Sequence, residues 1–132
     1  MDDCVFCKIV KGEIPVHKIY EDENSLVVMD KFPAVGGQVL LIAKEHVPYV
    51  FNLSSEKYSS ILLTAKKIAK IMDDVLGSEK TCLLIEGFEV PHAHIKLFPT
   101  YGLRLEIHGG KETDDKVLKE TADRLKKGIS EN

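Results

Sequence analysis

The chain has 132 residues, 44% hydrophobic and 30% charged, and a formal net charge of −3 at pH 7. That is enough chain for one domain with a packed core, and the composition excludes a disordered protein. The acidic balance excludes a general nucleic-acid binder, and no apolar run reaches the ~20 residues of a membrane span.

In chain order, Met1-Asp2-Asp3 lacks the basic-then-apolar layout of a secretory signal, so the expected compartment is the cytoplasm. Val5–Val10 is short and apolar, with Gly12 and Pro15 after it, and reads as a brief helix or turn. His17–Glu21 and Ser25–Asp30 read as strands joined by a turn at Glu21–Asn24. Pro33 and paired glycines make Phe32–Gly37 a loop, and Gln38–Ala43 is a continuous apolar strand. Pro48–Leu53 leads into the clearest helix, which runs from Ser54 or Ser55 to about Leu76. A serine N-cap and Glu56 open it and Gly77 closes it. Tyr58, Ile61, Leu62, Ala65, Ile68, Ala69, Met72, Val75 and Leu76 form its apolar stripe. Thr81–Glu86 and His92–Phe98 are the last strands, with a tight turn at Gly87-Phe88 and with Pro99 limiting further pairing. Asp114–Lys127 reads as an amphipathic helix with Val117, Leu118, Ala122 and Leu125 inward. Hairpin strands beside a long helix indicate an α+β fold with an antiparallel sheet.

The most informative stretch is His92-Ala93-His94-Ile95-Lys96-Leu97. On a strand, His92, His94 and Lys96 share one face while Ala93, Ile95 and Leu97 point into a core. Sheet packing gives no reason to align three basic groups, whereas a phosphate or metal site does. A neutral imidazole is available near pH 7 and can attack phosphorus, splitting one displacement into two. His94, the middle member, has a neighbour on each side and is the geometric choice for the nucleophile, with Lys96 as the cation beside it.

Cys4-Val5-Phe6-Cys7 is a CxxC pair. Two more ligands would make tetrahedral zinc, and His46, after the Gln38–Ala43 strand, and His92 are the candidates. Two buried thiols or a redox pair are the plain alternatives. The three cysteines are an odd count, which argues against a disulfide framework. Asp30 is either a turn residue or a carboxylate that accepts from ribose hydroxyls. His17 and His108 read as surface residues without partners, and Cys82 as a small core side chain.

Together these pieces resemble the histidine triad (HIT) family over about Cys4 to Pro99. The resemblance is carried by Cys4 to Pro15, Tyr20-Glu21-Asp22-Glu23, Leu26 to Asp30, Gly37 to His46 and His92 to Lys96, in that order. It implies a HIT-like α+β fold spanning 1–132. Residues 1–15 would be a zinc-bearing segment, 16–99 the sheet and long helix, and 100–132 an extension with a helix. It also implies a homodimer whose sheets join. The implied activity is hydrolysis or transfer at the α-phosphate of nucleoside monophosphate esters or phosphoramidates, through a nucleotidyl-histidine on His94. A structural zinc on Cys4, Cys7, His46 and His92 is implied, as are a ribose contact at Asp30 and base contacts at Phe6, Ile9 and Val28. The implied ligand is a purine nucleotide or a nucleotide conjugate.

The chain departs from the family pattern where the third histidine is Lys96, which keeps a donor and a charge but has no acceptor lone pair. The loop before the triad is shortened to Glu86-Gly87-Phe88-Glu89, and Glu89 would repel a phosphate. The customary Gly-His is Gly37-Gln38. The alternative function is therefore a nucleotide-binding module or sensor with weak or no catalysis. A metal-dependent hydrolase is a third reading, and it lacks an acidic ligand beside the histidines.

Overall fold

The computed structural model describes residues 3–102, 104–105 and 107–132; Met1 and Asp2, on which the reading of the chain's start rests, lie outside the described residues. The elements are α1 (Val5–Val10), β1 (Lys18–Glu21), β2 (Ser25–Met29), β3 (Val39–Ala43), α2 (Ser55–Leu76), β4 (Lys80–Leu84), β5 (His94–Thr100) and α3 (Asp115–Ser130). A short 3-10 turn, Val50–Asn52, precedes α2. The strands form one antiparallel sheet in the order β1-β2-β3-β5-β4.

Helix α2 forms where the sequence signals put it. Ser54 Oγ accepts from Lys57 N, and Gly77 ends the helix at φ 73°, a left-handed conformation that glycine adopts without a Cβ clash. Its buried face adds Thr64 and Ile71 to the expected stripe. Asp114 caps α3, and Leu118, Ala122 and Leu125 turn inward, but Val117 is half exposed and not a core residue.

Both long helices cover one side of the sheet. Val27, Leu41, Ile95 and Leu97 from the strands pack there with Ile61, Ala65, Ile68 and Met72 of α2 and Leu118, Ala122 and Leu125 of α3. The other side carries a smaller cluster of Leu26, Val28, Leu40 and Ile42, capped by Phe6 of α1. Alternation along the strands separates these sets. Val27, Leu41 and Ile95 belong to the helix layer, and Leu26, Val28, Leu40 and Ile42 to the α1 side.

The structure corrects several expectations. Strand β5 starts at His94, so His92 lies just before it, and the strand continues through Pro99 to Thr100. Pro99 is tolerated because β3 pairs with β5 only as far as Leu97; beyond that, β4 alone flanks the strand, and a missing N–H on the open side breaks no ladder bond. Strand β4 stops at Leu84, and residues 85–93 form a broad connection in place of a tight turn. His17 is not partnerless, since its Nε2 lies 2.6 Å from Asp115 Oδ1. Cys82 is only partly buried. No helix among the described residues is long and apolar enough to cross a membrane.

Candidate active site and metal centre

Helix α1 is a single short helix whose start is shaped by Cys4, and Cys4 Sγ accepts from Cys7 N at 3.3 Å. An i, i+3 spacing puts both thiols on one side. They meet His46, which follows the end of β3, and His92, which precedes β5. The chain brings these two together through backbone bonds of Ala93: its carbonyl accepts from Ala43 N at 3.0 Å, and its N–H donates to Val47 O at 2.7 Å.

The four donor atoms lie within 4.8 Å of one another. Cys4 Sγ is 3.2 Å from His92 Nδ1, Cys7 Sγ is 3.1 Å from His46 Nδ1, and the two Nδ1 atoms are 3.1 Å apart. Zinc with two sulfur and two nitrogen ligands would set neighbouring donors about 3.3–3.8 Å apart. Two imidazole nitrogens facing each other this closely need a shared proton or cation between them. The His92 tautomer is fixed, because Nε2–H donates to Ala43 O at 2.6 Å and leaves the Nδ1 lone pair for the cluster. Burial, then the neighbouring Cys4, pushes the Cys7 thiol up, and burial pulls the His92 imidazole down. A metal would convert the thiols to thiolates and release their protons. The quartet expected from the sequence is therefore assembled, and its donor set fits zinc.

His94 lies two positions beyond His92 of the quartet, on the α1 side of the sheet and opposite Ile42 of β3. Its Nδ1–H donates to the His92 carbonyl at 2.6 Å, which leaves Nε2 with the free lone pair. The ring meets Phe6 edge-on, with centroids 4.9 Å apart, and 5% of the residue is exposed. Burial, with Lys96 adding to it, holds the imidazole below its ordinary range and therefore neutral; the bond to the His92 carbonyl and the nearby Glu86 and Asp30 oppose this.

Lys96 lies on the same side, opposite Leu40 of β3 and Leu84 of β4. Its Nζ stands 3.7 Å from Glu86 Oε1, and both side chains are about a quarter exposed or less. Sequence reasoning misses Glu86, because a strand through Glu86 with a tight turn after it makes Glu89 the carboxylate of concern. Glu89 is exposed. The available signal was parity, since Glu86 follows Leu84 by two positions and Leu84 faces Lys96.

The remaining expected residues lie on the same side of the sheet. Phe6 and Val28 are buried in the small cluster, and Ile9 packs against it half-buried. At 1% exposure, Val28 is a floor beneath Phe6 more than an open wall. Asp30 already has work in the loop: Oδ1 accepts from Phe32 N at 2.9 Å and Oδ2 from Gln38 Nε2 at 2.6 Å. Gln38 Oε1 in turn accepts from Ala34 N at 2.7 Å. Each Asp30 oxygen keeps a second lone pair for another donor. Two surface grooves, along α2 and between β1 and α3, contain none of these residues.

The family model of the HIT domain matches residues 11–103. The chain is similar to an adenosine 5′-monophosphoramidase of Schizosaccharomyces pombe, 38% identical over 109 residues, 76% of this chain and 79% of that one. An adenylylsulfatase of Arabidopsis thaliana is 32% identical over 74% of this chain and 52% of its own length. Among solved structures, a zinc-bound histidine triad family protein from Mycobacterium smegmatis has a TM-score of 0.85 and 25% identity, covering 98% of this chain and 95% of that one.

Proposed function

The chain belongs to the HIT domain family, and on that basis we propose that it is a nucleotide hydrolase or transferase. It acts at the α-phosphate of nucleoside monophosphate esters or phosphoramidates. His94 is the nucleophile. The observation that carries this reading is the 2.6 Å bond from His94 Nδ1 to the His92 carbonyl, which fixes the tautomer with its lone pair on Nε2. When Nε2 bonds to phosphorus, positive charge develops on the imidazole, and the carbonyl stabilises it. Lys96 and backbone N–H groups stabilise the phosphate oxygens, and water then releases the nucleoside monophosphate. Phe6 and Ile9, over Val28, take the purine base, and the spare lone pairs of Asp30 take the ribose.

Zinc in this reading is held by Cys4, Cys7, His46 and His92. It supplies a structural crosslink, because four protein ligands fill a tetrahedral site and leave no position for a reacting water. Thiols kept for a metal suit a reducing cytoplasm, where we place the chain. A second copy of the chain completes the proposal, supported by the outer edge of β4, which among the described residues pairs with nothing on its far side in the sheet order.

The test is intact-mass measurement after mixing with an adenosine 5′-phosphoramidate. The unaltered protein should show a nucleotidyl adduct and release AMP. His94→Ala should show neither, with turnover reduced at least ~10³-fold, as expected for loss of a covalent nucleophile. Full turnover by that variant would refute the mechanism. The ion pair between Lys96 and Glu86 favours a second reading, a binding module with little catalysis. Binding without adduct or product would select it.

A further inference from the structure

Around the nucleophile, the charges do not suit an anionic leaving group. Lys96 lies two positions along β5 from His94, and Glu86 reaches it from beyond the end of β4, so a carboxylate stands beside the cation. Lys96 is moreover engaged, with Nζ 3.7 Å from Glu86 Oε1 and both side chains partly shielded from water. The sheet order gives these groups direction. The nucleoside positions, Val28 and Asp30, lie at β2, on one side of β5; Glu86 follows β4, on the other. In-line displacement sends the leaving group away from His94 Nε2, and with the nucleoside seated toward β2, the side left for the far end of that group is β4. The group at that end is a carboxylate whose lysine partner offsets it only in part.

Resting on the nucleotidyl-histidine reading above, we infer that Glu86 is a specificity-determining residue that makes this chain prefer positively charged amine leaving groups over negatively charged ones. The His94 Nε2 lone pair forms the bond to phosphorus as the P–N bond of the substrate breaks, and that electron pair leaves on the amine nitrogen with a proton from solvent. Water then attacks phosphorus, the His94–phosphorus pair returns to Nε2, and the water gives up the proton that was borrowed. A cation on the departing amine is attracted by Glu86 throughout. A carboxylate or phosphate there is repelled by Glu86, while Lys96 is drawn to the α-phosphate oxygens.

Two probes isolate this effect, because they share the scissile P–N bond. One is AMP joined to ethylenediamine, whose far end is an ammonium; the other is AMP joined to β-alanine, whose far end is a carboxylate. The ratio of their kcat/KM values is measured for the unaltered protein and for Glu86→Gln. Glutamine keeps the size of the side chain and removes its charge. The ethylenediamine compound should be preferred, and the substitution should shrink the preference about tenfold, mainly by raising turnover of the β-alanine compound. Added salt should compress the ratio in the unaltered protein as well, a readout that needs no variant and that a purely structural role would not move. A ratio unchanged by the substitution or by salt, with both probes turned over, overturns the inference and leaves the nucleotidyl-histidine reading standing. No turnover and no adduct with either probe in the unaltered protein overturns both.

Discussion

At the scale of single residues, the surroundings of His94 suit the role of nucleophile proposed for it. A free imidazole loses half its reactive form near its ordinary pKa of 6.5. In His94, burial is the largest influence and lowers that value, with Lys96 acting the same way. A lowered pKa means that the neutral, attacking form persists as the pH falls below 6.5. The rate of adduct formation in single turnovers should therefore fall to half its plateau only below pH 6.5. An inflection at or above 6.5 would contradict the environment described for this ring. Much of this was legible in the sequence, because two imidazoles and an ammonium at alternate positions have no packing purpose. Glu86 was not, because its approach to Lys96 depends on where the chain turns after β4, and the local pattern predicts a tight turn at Gly87.

At the scale of elements, the strands and α2 follow from local signals. The ends of β4 and β5 do not. The sequence predicts that Pro99 stops pairing, and it would in the middle of a sheet. Whether a position is central depends on how far the neighbouring strand reaches, which no local pattern records. Helix α1 presents the opposite problem. At six residues, Val5–Val10 is too short to be stable by itself. It rests on Phe6 in the small cluster and on the two thiols that meet His46 and His92. Metal removal should therefore loosen this element first. Elemental analysis of protein prepared without chelators should find one zinc per chain. Chelation, or Cys7→Ser, should lower the thermal midpoint and raise amide exchange in α1, while the amides of α2 and β3 stay protected. Zinc-free protein with an unchanged midpoint would remove the crosslink from the proposal.

At the scale of the whole molecule, the two faces of the sheet divide the labour. The side under α2 and α3 holds the larger core, and the side under α1 holds the cysteine–histidine quartet, His94 and Lys96. The two sheet edges also differ. Strand β1 carries a register shift between Lys18 and Tyr20 and has α3 against it. Strand β4 is regular, partly exposed, and presents Leu83 at 43% exposure. A regular open edge invites a partner strand. We expect sedimentation equilibrium to give the mass of two chains, and Leu83→Lys to shift it toward one. A single-chain mass for the unaltered protein would rule out joining through this edge.

The acceptor that orients His94 is a peptide oxygen, whereas the ring of the same residue, His92, belongs to the metal quartet. Main-chain atoms are common to every amino acid, so side-chain replacement at position 92 strips away a ligand without deleting the orienting oxygen. Metal affinity can therefore be damaged while the orienting oxygen stays in the chain, although one residue supplies both. Variants at this single site would report the metal's contribution with that oxygen retained.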